Sequence, residues 1–222
     1  MSTQALPGPL PLPLPEAQWQ ALRACYAAPP RAYHDWRHVQ AVLGHYADVA
    51  ERLGWDHPRE AWLALLYHDA VYEAGRTDNE ARSAGLARRD IARWLPHAGL
   101  DAGRVARLIE LTARHGQLGP GAVGRDEALL LDCDMAILAA PVPVYDAYER
   151  AIAEEYRPRM DAVRYRDGRA RFLRGLLAAP RIFLSDDFHA RCDAPARANL
   201  ARALARLQTG LQSPPPPPSP QA

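Results

Sequence analysis

From about residue 16 to residue 211, apolar side chains return every third or fourth position, and no run alternates convincingly with period two. Val39, Val42, Leu43, Tyr46, Val49 and Leu53 paint one face of a helix, and Gly54 suits its C-terminal end. Residues 59–73 are apolar nearly all round, from Ala61 to Tyr67, as a central buried helix requires. Thr77-x-x-Glu80 reads as a capping box that opens a helix running to about Leu95, where Pro96 stops it. Further helices are predicted at 101–115, 126–139, 143–156, 161–178 and 194–211, with a glycine-marked loop near 116–125. The chain carries no internal repeat. Its 222 residues suit one generous domain. The expected fold is therefore all-α, a single bundle of eight or nine helices.

The ends are punctuated differently. Residues 7–15 (PGPLPLPLP) must be extended, because proline cannot donate to a helix or a central strand. Residues 213–220 (SPPPPPSP) read as a solvated polyproline tail. The division is thus a Pro-rich segment at 1–15, a helical domain at 16–211 and a Pro-rich tail at 212–222, with neither end expected to join the core.

Composition excludes several classes. Apolar residues make up 48% and charged residues 24%, which rules out disorder for the bulk of the chain. The 27 basic residues, all of them arginine, nearly cancel 26 acids, so the lopsided charge of a nucleic-acid binder is missing. Cys25, Cys133 and Cys192 show no C-x-x-C spacing, which argues against a disulfide framework or a thiolate zinc site and for a reducing cytoplasm. The N-terminus lacks the basic stretch of a signal peptide, and no run of 18 apolar residues predicts a membrane span. A homodimer would suit a helical domain, but no run identifies the face.

One polar arrangement stands out. His68 and Asp69 are adjacent within the most apolar stretch, where a buried carboxylate costs several kcal/mol unless it is paired or binds a metal. Neighbouring helical positions point about 100° apart, so both side chains reach an ion lying between them. Asp132 and Asp134 likewise interrupt the apolar run LLLDCDMAIL, and His38 shares the helix of the Val39/Val42 stripe. Three separate helices thus send imidazole or carboxylate inward. His38, His68, Asp69 and Asp134 together offer two nitrogens and two oxygens, a set that suits Mn²⁺, Fe²⁺, Co²⁺, Ni²⁺, Zn²⁺ or Mg²⁺ with water completing the shell.

The order His38, then His68-Asp69, then a distant Asp134 resembles the H…HD…D pattern of the HD-domain superfamily, and most closely its branch of predicted metal-dependent phosphohydrolases. The matching stretches are RAYHDWRHV (31–39), ALLYHDAVYEAGRTDNEARSA (64–84), LTARH (111–115), LDCDMAIL (131–138) and AYERAIAEEY (147–156). The resemblance implies an all-α core in which those four side chains bind a divalent ion. It also implies hydrolysis of a phosphoester or pyrophosphate bond in a small molecule, often a nucleotide. It prefers Asp134 to Asp132 as the last ligand, because the family's ligand directly precedes the apolar run. No membrane or nucleic-acid partner is implied. The alternative from another class is a sensor that binds metal or nucleotide without hydrolysis.

The remaining candidates follow from position. Asp132 is a candidate to orient a ligand from outside the first ring of donors. His34 lies one helical turn before His38, and His115 matches the branch's T-x-x-H; both are candidates to touch substrate phosphate or a second metal ion. Arg31, Arg37 and Arg114 lie near the expected ligands and offer forked hydrogen bonds to phosphate. Asp69 or Glu80 would accept the proton of the attacking water, although the capping box explains Glu80 without any catalysis. His45, His57, His97 and His189 read as surface residues.

Overall fold

A computed structural model describes residues 10–209. These residues form nine α-helices and no strand: α1 (Glu16–Ala27), α2 (Trp36–Arg52), α3 (Pro58–Tyr67), α4 (Asn79–Trp94), α5 (Ala102–Thr112), α6 (Arg125–Met135), α7 (Val142–Tyr156), α8 (Ala162–Ala178) and α9 (Asp186–Thr209). A 3-10 turn, Ala136–Ala139, extends α6. The all-α expectation holds. The proline tail expected at 213–220 lies outside the described residues, as do residues 1–9.

The stripe on α2 is buried from Val39 to Val49, but Leu53 is 40% exposed, because the helix has ended at Arg52. Gly54 there takes φ +72, a left-handed conformation that glycine tolerates without a Cβ penalty. Pro58 opens α3 in its first turn, where its missing N–H costs nothing. Every residue of α3 from Glu60 to Tyr67 is buried, and the helix packs against α2, α4, α5 and α6. It is the central element of the bundle.

Four boundaries depart from the pattern in the sequence. First, α3 stops at Tyr67 rather than running to 73, so His68 and Asp69 occupy a turn. Long-range partners hold that turn. Arg31 donates to the carbonyls of Asp69 (2.8 Å) and Ala70 (3.0 Å), and the Val71 N–H donates to Ser83 Oγ on α4 (3.0 Å). Second, the Thr77/Glu80 capping box does not form. The N-cap of α4 is Asp78, without a side-chain cap, and Asn79 closes the loop by bonding the backbone of Glu73 through both amide atoms. Third, α5 ends at Thr112, which leaves His115 in the following turn. Fourth, α9 begins at Asp186, not 194, and continues through Pro195. Asp132 secures its start by accepting from the Leu184 N–H (2.7 Å), the Ser185 N–H (2.8 Å) and the Ser185 hydroxyl (2.5 Å).

The N-terminal proline segment also corrects the expectation. Residues 10–15 are non-helical, as proline demands, yet Leu12 is buried in the main core cluster and Leu14 packs against it. Burying a leucine is worth about 1.5–3 kcal/mol, enough to pin a short extended strand of chain. No single helix among the described residues is long and apolar enough to cross a membrane.

Candidate metal centre

Four elements deliver the centre. His38 stands one turn into α2, on the same inward face as Val42. His68 and Asp69 follow directly from α3, whose burial carries them to the middle of the bundle. Asp134 comes from the last turn of α6, and His115 from the turn after α5. Asp35 fixes the entry to α2 by accepting from the Arg37 N–H at 2.8 Å.

The side chains converge tightly. His38 Nε2 lies 2.9 Å from His68 Nε2. Asp69 Oδ2 is 3.4 Å from the first nitrogen and 3.1 Å from the second. Asp134 Oδ1 is 3.3 Å and 3.4 Å from the same two atoms. Donor atoms of His38, His68 and Asp69 lie within 4.8 Å of one another, and this cluster could hold a metal ion. With metal–nitrogen bonds of about 2.1 Å, neighbouring ligands on an octahedron stand about 3.0 Å apart. The spacings among His38, His68 and Asp69 therefore fit donors arranged round a single cation, and Asp134, at 3.3 Å and 3.4 Å from the two imidazole nitrogens, stands beside that three-residue cluster.

Two ring nitrogens at 2.9 Å need a proton or a cation between them, since two lone pairs repel. His68 Nδ1 donates to the Leu65 carbonyl at 2.7 Å, which aims its Nε2 inward, as a second hydrogen bond commonly orients a ligating imidazole. Burial opposes protonation of both imidazoles, but the facing carboxylates prevail. They raise the pKa of His38 and hold that of His68 well above the ordinary histidine value. Burial would also raise both acids, yet the surrounding imidazoles, His68 first among them, together outweigh it and keep Asp69 and Asp134 well below the usual carboxylate range. Protons here neutralise the acid pair, and a divalent cation would do the same. His115 adds an orphan: its Nε2 is buried with no hydrogen-bond partner, 3.3 Å from Asp134 Oδ2. Burial lowers the pKa of His115, against a smaller pull from Asp134.

The other candidates separate into those at the centre and those elsewhere. His34 Nε2 stands 4.0 Å from Asp69 Oδ2, so His34 borders the centre. Glu80 makes no hydrogen bond among the described residues, and its charge acts on His115. Arg114 is exposed beside His115, and both line a small crevice with Gly116 and Met135. Arg31 is not a free phosphate donor. Three of its N–H groups bond the carbonyls of His34 (2.6 Å), Asp69 and Ala70, so it clasps two backbone turns together. Arg37 is 77% exposed and paired with Asp35, on the solvent side of α2. Asp132 orients no ligand, since its oxygens are spent on the start of α9. Burial raises its pKa to about 6. Of the histidines read as surface residues, His97 is exposed, while His45 is half-buried against Phe188.

Glu155 was not singled out by sequence reasoning. It is fully buried on α7, in register with Tyr148 and Ile152, so an acid on an inward helical face was the available signal. Tyr33 was missed too; its ring packs 4.8 Å from that of His38 and 4.7 Å from that of Tyr148.

No family model matches the chain, and neither does any curated protein or solved structure.

Proposed function

We propose that this chain is a metal-dependent phosphohydrolase that cleaves a phosphoester or pyrophosphate bond in a small molecule, with a nucleotide as the preferred substrate class. The observation that carries the reading is the approach of two imidazole nitrogens to 2.9 Å between two carboxylates that burial alone would have neutralised. An unfilled structural ion pair does not need two nitrogens face to face. The resemblance of His38, His68-Asp69 and Asp134 to the HD pattern supplies the reaction class and the nucleotide preference.

His38, His68, Asp69 and Asp134 would hold the ion. Bound there, a divalent cation supplies charge to a phosphoryl oxygen and acidity to a water. The chain's own residues do the rest. The rigid turn clasped by Arg31 keeps Asp69 in place, and preorganisation of this kind is where much of the catalytic advantage of such sites resides. His115 and Arg114 stand at the edge, where charge develops on the phosphoryl oxygens. Asp69 and Glu80 are the acids available to take a proton. Cys25, Cys133 and Cys192 are free thiols, in keeping with a reducing cytoplasm.

The test is a panel of phosphate monoesters, diesters and nucleotides offered to protein loaded with Mn²⁺, Co²⁺ or Zn²⁺. Release of phosphate or a shortened nucleotide, abolished in D69A, is the expected result. Saturable nucleotide binding with no release across the panel would instead favour a sensor.

A further inference from the structure

Beside the centre, a buried carboxylate holds a histidine that no ligand role accounts for. Glu155 is 0% exposed. Its Oε1 accepts three consecutive backbone N–H groups, from Ala32 (2.9 Å), Tyr33 (2.8 Å) and His34 (2.9 Å). Its Oε2 meets His34 Nδ1 at 2.6 Å. Burial would raise the Glu155 pKa, but these hydrogen bonds outweigh it and keep the group below its ordinary value, hence ionised. An ionised carboxylate only accepts, so Nδ1 carries the proton. In neutral His34 the lone pair is then on Nε2, which faces Asp69 Oδ2 at 4.0 Å. The Tyr72 ring stacks on the imidazole at 4.0 Å between centroids, fixing its plane.

Resting on the hydrolase reading above, we propose that Glu155 is a positioning residue: it fixes the tautomer of His34 so that Nε2 is presented to the metal centre as an acceptor, there to orient the attacking water by taking its O–H. A bare Nε2 cannot donate to a phosphate oxygen, so this assignment replaces the expected phosphate contact of neutral His34. It also gives a function to a turn that is otherwise over-determined, with three N–H groups on one oxygen and Arg31 on the His34 carbonyl.

The test uses E155Q in the full-length chain. A glutamine keeps the shape of the glutamate. Its Oε1 would still accept the three backbone N–H groups, which forces its NH₂ towards His34 Nδ1. The donor then belongs to residue 155, and the imidazole proton must move to Nε2. Long-range ¹H–¹⁵N correlation spectra of the metal-free chain near pH 8 read the tautomer directly, with the His34 signals identified by their loss in H34N. The wild type is expected to show Nδ1–H and E155Q to show Nε2–H. An Nε2–H wild type, or a tautomer unchanged in E155Q, overturns the proposal. With bis(4-nitrophenyl) phosphate as the probe and Mn²⁺ loaded, E155Q and H34N should lose about 10- to 100-fold in kcat at unchanged KM and metal content. Wild-type kcat in both variants would overturn the water-orienting role. A metal-loaded wild type that turns over nothing defeats the hydrolase reading and the water-orienting role with it. The tautomer then still decides whether Glu155 positions His34.

Discussion

Asp132 and Asp134 stand two positions apart on α6, so they point about 200° apart round the helix axis and do unrelated work. Asp132 satisfies two backbone N–H groups and one hydroxyl at the start of α9. Asp134 faces His38, His68 and His115. Removing a buried acceptor strands its donors, at about 1–3 kcal/mol for each buried group left unpaired. D132A is therefore expected to lower unfolding stability by about 2–4 kcal/mol while retaining bound metal. D134A is expected to lose metal and to keep α9 docked. Urea unfolding together with elemental analysis of both variants separates them, and metal lost from D132A but kept by D134A would show the roles to be exchanged.

At the scale of elements, the stripe on α2, the all-round burial of α3 and the spans of α7 and α8 are legible in local periodicity, because each helix buries a face that its own spacing creates. The ends of elements are not. The turn at 68–78 is closed locally by Asn79, but Arg31 and Ser83, which also hold it, bond residues 38 and 12 positions away. Period alone extends α3 through His68, and the wedge between two helical side chains becomes a turn that presents both. The four donors of the centre were legible as polar groups in apolar runs. Glu155 escaped notice because its partners lie more than 120 residues away in the chain. Pro195 has no N–H of its own, yet α9 runs on through it; Asp193 accepts from the Ile182 N–H before the proline, and Arg197 donates to the Leu177 and Ala179 carbonyls after it.

That junction between α8 and α9 has a pH signature. Burial pushes the Asp193 carboxyl up, but the Ile182 N–H and the Arg197 guanidinium outweigh it and hold the group below its ordinary value. A carboxyl that ionises more readily folded than unfolded stabilises the fold above the unfolded pKa of about 3.9. That stabilisation is lost as pH falls through the lower folded value. D193N should thus be less stable than the wild type at pH 7, with the gap narrowing as pH drops below about 4. Chemical unfolding at a series of pH values measures this, and a gap independent of pH would contradict it.

At the scale of the whole molecule, one hydrophobic cluster runs from Leu12 to Ala203, and the candidate centre draws together side chains from His38 to Asp134. α2 supplies His38, the turn after α3 His68 and Asp69, and α6 Asp134, with His115 of the turn after α5 beside them; α7 holds His34 at their border through Glu155. An ion that binds this assembly and not the unfolded chain stabilises all of it at once, by about 2.7 kcal/mol at a hundredfold excess over the dissociation constant. The most direct test of the centre is the divalent-metal content of the chain purified without chelator, measured alongside its melting temperature before and after chelation. One or more equivalents of ion, a lower melting temperature on chelation, recovery on adding Mn²⁺ or Zn²⁺, and no such response in D69A are predicted. A chain that carries no ion, and whose melting no added divalent cation shifts, would contradict the account.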